Sequence, residues 1–289
     1  MDGPSALIFG VLLPAVVAGI VLLVSARRAR AEPAAPRPVA GALGFGGAYL
    51  VAHAVLSGVP PIPWSEDALS NTGRLFWLVA GAVLLAPVRC APFLRRFGDG
   101  FYVAFFAILP YHWIRDPGLE RGVFDLAGIG SVLLSYGIWR ALEALARRRP
   151  GPGLPAALWA ASAGTAGMLL ANASAKQAQL VGALAAALGA AVVVALLVRG
   201  AHLASGAIAI LAVVVISMLR LAVVYDLPTV SWVLAAVAFL APWVGEFPGL
   251  RTRSPLLAGA AAFLAALAAS GAAAWFAFAA RSAARASGY

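Results

Sequence analysis

Apolar runs long enough to cross a lipid bilayer follow one another along almost the whole of this chain, and that feature decides what it can fold into. The hydrocarbon core of a bilayer is about 30 Å thick, and one helix of about 20 residues crosses it. Ten such runs can be drawn: Ser5 to Ser25, Val39 to Gly58, Gly73 to Val88, Gly100 to Ile114, Gly122 to Trp139, Leu154 to Ala171, Gln177 to Val198, Ala204 to Val224, Leu227 to Val244 and Pro255 to Ala279. Hydrophobic residues make up 63% of the chain and charged residues only 11%, with a mean hydropathy of +0.92. Ordinary soluble domains carry about 25% charged residues. No soluble interior could hide this much apolar surface, whereas lipid removes the difficulty. The expected fold is therefore all-α: a polytopic transmembrane helix bundle of about ten spans, with residues 1–289 forming one integral membrane domain.

The connections support that reading. None reaches the roughly 50 residues that a soluble domain requires. The segment Pro150 to Pro155 divides the chain near its middle into two candidate halves, 1–150 and 151–289, of five helices each. Two sets of five would run in opposite senses, as in inverted-repeat transporters. The fourth run is the shortest and holds Pro110, so it is expected to tilt, kink or span incompletely. Only Asp2 carries a charge before the first run, which reads as a retained span rather than a secretory signal.

A net charge of +10 and a pI near 11.0 would point to nucleic acid in a soluble protein. Here the arginines sit in short clusters between apolar runs, as at Arg27, Arg28 and Arg30 or Arg147, Arg148 and Arg149, with no continuous basic face. They read as topology signals, and no nucleic-acid partner is expected. Placing the N-terminus outside puts most of them on the cytoplasmic side. Arg281 and Arg285 are the misfit, because they follow the last run and would lie outside; nine or eleven spans would relieve it. One cysteine, Cys90, excludes an intrachain disulfide. The excess of arginine over lysine and the abundance of alanine suggest a GC-rich bacterium, hence the bacterial inner membrane.

Ionisable groups at bilayer depth cost several kcal/mol unless paired, hydrated or snorkelling, so they are the most informative positions. Asp125 lies about one turn inside the fifth run and Arg220 about one turn inside the outer end of the eighth. Each also has a structural explanation: Arg121 is four residues before Asp125 and can pair with it, and Arg220 can reach the headgroups. On the second run Tyr49, His53 and Ser57 recur every four residues and form one polar ridge that should face protein. His112, at the outer end of the fourth run, could approach it. Two such histidines could ligate haem or a metal, but each is alone on its helix without HExxH or a nearby carboxylate, so hydrogen-bonded packing is favoured and no cofactor is expected. Ser65 is a plausible helix N-cap leading through Asp67, Asn71 and Arg74 into the third run. Gly182, Ala186 and Gly189 form a small-residue stripe suited to close helix approach.

No zincin helix, nucleophile elbow, phosphate loop or dinucleotide fingerprint occurs, which leaves an intramembrane enzyme the weakest reading. Two readings carry nearly equal weight. The first is a small-solute transporter or permease with an outer-facing polar cavity, its substrate-binding residues being His53, Tyr49, Asp125, Arg220 and His112. The second is a non-catalytic integral subunit or assembly factor of a larger membrane complex, with membrane-protein partners or copies of itself beside the lipid bilayer.

Overall fold

A computed structural model describes residues 8–31, 37–62, 70–90, 98–114, 126–149, 151–171, 175–198, 201, 203, 205–224, 227–252 and 254–286. Among them there is no β-strand. The main helices are α1 (Leu13–Ala31), α2 (Arg37–Ser57), α3 (Asn71–Leu85), α4 (Gly98–Trp113), α5 (Leu126–Arg148), α6 (Gly153–Ala171), α7 (Ala175–Leu197), α8 (Ser205–Val224), α9 (Thr229–Leu240) and α10 (Pro255–Ala286). A π-helical turn, Ile8–Leu12, precedes α1, and 3-10 segments Ala86–Cys90 and Ala241–Glu246 extend α3 and α9.

Among the described residues seven segments are long and apolar enough to cross a membrane: Ile8–Arg27, Val39–Ser57, Asn71–Arg89, Gly153–Ala171, Ala175–Leu197, Thr229–Glu246 and Pro255–Ala286. The apolar parts of α4 and α8 are shorter, Gly100–Tyr111 and Gly206–Leu221, and α5 carries Arg140, Glu143, Arg147 and Arg148. The helix α4 continues through Pro110 to Trp113. The chain is a multi-pass helical membrane protein. Most helices lack a polar face because lipid and protein interior are both apolar.

The helices turn back and forth between two ends of the bundle. At one end, which carries the arginine clusters, Arg89 after α3 meets Glu143 near the end of α5, and the Gly151 N–H donates to the Ala201 carbonyl at 2.9 Å. At the opposite end His53 of α2 meets Thr72 of α3, and Arg74 donates to the Trp113 carbonyl at 2.8 Å. Gly10 lies against Leu56, and Arg281 donates to the Ala171 carbonyl at 2.7 Å. Both described chain ends therefore lie away from the arginine clusters, and Arg281 caps the end of α6.

Helix α8 forms the centre. Every residue from Gly206 to Met218 is buried, and α2, α3, α4, α5, α7 and α9 all pack on it. A helix apolar all round requires such enclosure. The most extensive helix pair is α6 with α10, while α1 packs on α2 and α7. Helices α6 and α10 run parallel: Gly153 meets Gly259, Gly164 meets Ser270 and Gly167 meets Ala274 in turn. A Cβ on Gly153 would lie 3.2 Å from the Gly259 Cα, and one on Gly164 would lie 2.2 Å from the Ser270 Cβ. Small residues let the backbones approach, and the Ser270 hydroxyl donates across the seam to the Ala160 carbonyl at 3.1 Å. The α7 stripe does less: Gly189 touches Trp159, while nothing lies within 4 Å of a Cβ on Gly182.

Candidate functional site

Polar side chains collect at both ends of the bundle, and they differ in how far they are satisfied. At the end away from the arginine clusters, the expected ridge of α2 faces protein: Tyr49 is fully buried and His53 is 2% exposed, with Ser57 half-buried. The residues around His53 fix its orientation. Its Nε2 lies 3.1 Å from the Thr72 carbonyl, and a carbonyl can only accept, so Nε2 carries the hydrogen. The Phe76 ring lies 5.0 Å away and the Tyr49 ring 6.2 Å. Nδ1 is then left as an acceptor, and it is buried with no partner.

Five other buried atoms at this end share that condition: the Tyr49 hydroxyl, Ser57 Oγ, Gln177 Oε1, Arg220 Nε and, at the start of α9, Ser231 Oγ. Gln177 begins α7, which packs on α2. Its neighbour Lys176 is close enough to His53 to act on it electrostatically. Arg220 stands on α8 with its guanidinium 5.6 Å from the centre of the Tyr111 ring. That ring is held by a hydrogen bond between the Tyr111 and Ser135 hydroxyls, 3.3 Å apart. Cation–π contact offsets part of the burial of the charge without using its N–H groups. Tyr49 and His53 are thus neighbours, and α3, which packs on both α2 and α8, links them to Arg220. Asp125 lies outside the described residues, as does the side chain of His112. The helix α3 is capped by Ser70, whose Oγ accepts from the Gly73 N–H at 3.2 Å; Ser65 lies outside the described residues.

The arginine-rich end holds a second cluster, around Glu143, that no apolar-run reading singled out. Helix α5 runs nine residues beyond the expected stop at Trp139, to Arg148, and so carries Glu143 into the interior, fully buried. Its Oε1 accepts from Arg89 at 2.5 Å and from the Trp139 indole at 3.2 Å. Its Oε2 accepts from Arg140 at 3.0 Å and from Arg147 at 3.4 Å. Tyr102 of α4 lies beneath Arg89, 5.1 Å from guanidinium carbon to ring centre, and donates its hydroxyl hydrogen to the Ala82 carbonyl at 2.7 Å. The spacing of Trp139, Glu143 and Arg147 on one helix face was a legible signal. The partner Arg89, 54 residues earlier, was not.

A carboxylate with both oxygens occupied has nothing left to offer a ligand. The cluster locks α3, α4 and α5 together, as a connected buried network does. At the other end several buried polar atoms keep unused hydrogen-bonding capacity. Among the described residues no group of three His, Cys, Asp or Glu side chains could hold a metal ion. No family model matches the chain, and no curated protein or solved structure matches it either.

Proposed function

We propose that this chain is a carrier for a small solute bearing both hydrogen-bond donors and acceptors, bound in the outer half of the bundle. In this reading all ten helices span the bacterial inner membrane, both chain ends lie outside, and the arginine clusters face the cytoplasm. One observation carries it: Tyr49, His53, Ser57, Gln177 and Arg220 each keep a buried polar atom without a protein partner. An unmatched buried polar atom costs about 1–3 kcal/mol, and native proteins keep few of them. Water or solute in the site relieves that cost. The donor and acceptor roles specify the ligand: His53 Nδ1 and Gln177 Oε1 accept, Arg220 Nε–H donates, and the two hydroxyls do either. Asp125 and His112 join the proposed lining from their positions in the sequence.

The test uses the full chain purified in neutral detergent, melted against small amino acids, hydroxy acids and polyols. The expected result is a saturable rise in melting temperature with one of these classes. Arg220→Gln and His53→Ala should abolish the rise, measured against each variant's own ligand-free melt. No shift with any class, or a shift that survives both substitutions, would refute the assignment.

A further inference from the structure

At the arginine-rich end the bundle leaves a cavity of about 630 Å³ between the last turn of α5, the start of α6 and the first turns of α10. Its lining is almost wholly apolar, with Leu145, Leu154, Leu256 and Phe263 as the large members. Phe263 is eight residues into α10, so the cavity reaches roughly 12 Å below the helix end at 1.5 Å per residue. It opens sideways as well. Leu256 is 80% exposed, and Leu257 and Leu264 are exposed beside it. The close approach of Gly153 and Gly259 lies within the lining, where two side chains that would fill the space are missing.

The mouth of this cavity is basic. Arg149 is the one charged residue of its lining. The Arg149 Nε and one terminal nitrogen donate to the Glu246 carboxylate and the Gly245 carbonyl, and its side chain remains 22% exposed. Arg148, exposed, precedes it at the end of α5, whereas Arg147 reaches back to Glu143 on another face. Arg149 is paired with Glu246, and Arg148 adds a further positive charge beside it. The helix dipole of α10 adds positive potential where it begins, beside Ser254. An apolar slot about half a bilayer leaflet deep or more, open to lipid and topped by excess positive charge, is complementary to one kind of molecule: an amphiphile with an acyl chain and an anionic phosphate head.

We infer that this cavity is a binding site for an acidic phospholipid, its acyl chain between α6 and α10 and its headgroup at Arg149 with Arg148. This site is separate from the proposed solute site and does not depend on transport. The full chain in neutral detergent is titrated with phosphatidylglycerol, phosphatidylcholine and oleate, and bound lipid is read by native mass spectrometry beside the melting temperature. Phosphatidylglycerol should bind saturably and raise the melting temperature by about 3–5 °C at saturation, whereas phosphatidylcholine should do neither. Ala260 lines the cavity and is exposed, so Ala260→Trp should fill the slot, leave the lipid-free melt unchanged and remove the response. Arg148→Gln, which touches no member of the Glu143 cluster, should weaken phosphatidylglycerol binding and reduce its dependence on salt. Equal binding of phosphatidylcholine, oleate binding in place of phosphatidylglycerol, or a response that persists in Ala260→Trp would overturn the inference.

Discussion

The two polar clusters sit at opposite ends of the same bundle and solve the cost of burial in opposite ways. Around Glu143 every carboxylate lone-pair direction meets a donor, from Arg89, Trp139, Arg140 or Arg147. Around His53 and Arg220 buried donors and acceptors have been brought inside and left unmatched. Low dielectric strengthens a complete network and penalises an incomplete one. Charge is therefore a poor guide to free bonding capacity in this chain: the more highly charged cluster is saturated, and the more modest one keeps unmatched atoms.

Removing one member of the satisfied cluster should have the largest effect. Glu143→Ala removes the carboxylate that Arg89, Arg140 and Arg147 share, with the Arg89 side chain only 2% exposed, and should destabilise the protein by about 3–5 kcal/mol. Urea or thermal unfolding in detergent would read this. Replacing Arg89 and Glu143 together by Met and Leu should cost clearly less than the single change, because no charge is stranded. A single substitution that melts like the wild type would erase the contrast between the ends.

The seam between α6 and α10 joins the two ends and supplies the next effect. Gly164→Val places atoms where Ser270 already stands, with even a Cβ only 2.9 Å from the Ser270 carbonyl carbon. Overpacking of this kind costs about 1–3 kcal/mol. Gly182→Ala on α7 meets nothing within 4 Å and should stabilise by up to about 1 kcal/mol through helix propensity. If the two substitutions behaved alike, close approach would not be what the seam requires.

Much of the helix layout was legible because a lipid-crossing helix must be apolar over a fixed length. Leu154 to Ala171 and Ala204 to Val224 lie within one residue of Gly153–Ala171 and Ser205–Val224. The same rule said less at α5, whose helix runs on past Trp139 to Arg148 while Arg140 and Arg147 pair with the buried Glu143. Pairing across the fold was the other limit. A stripe of small residues says that close approach is allowed, not where it happens; the sequence pointed to Gly182 and Gly189, and the tightest seam formed at Gly153, Gly164 and Gly259. Burial of the ridge at Tyr49 and His53 followed from spacing alone, whereas the Thr72 carbonyl that orients His53 belongs to another helix.

The smallest expected change is the most discriminating for the unsatisfied cluster. Tyr49→Phe deletes a fully buried hydroxyl that has no partner and keeps the ring against His53. Removing an unmatched polar group without changing shape should leave stability equal or raise it by up to about 1 kcal/mol. A loss of that size would mean that the hydroxyl is already matched, for example by a bound water. The ligand-dependent rise in melting temperature should shrink in the same variant. Stability and binding moving in opposite directions at one atom is the signature of a group held unsatisfied for a ligand. The matched cluster cannot produce it, since at Glu143 every substitution that removes a contact also removes stability.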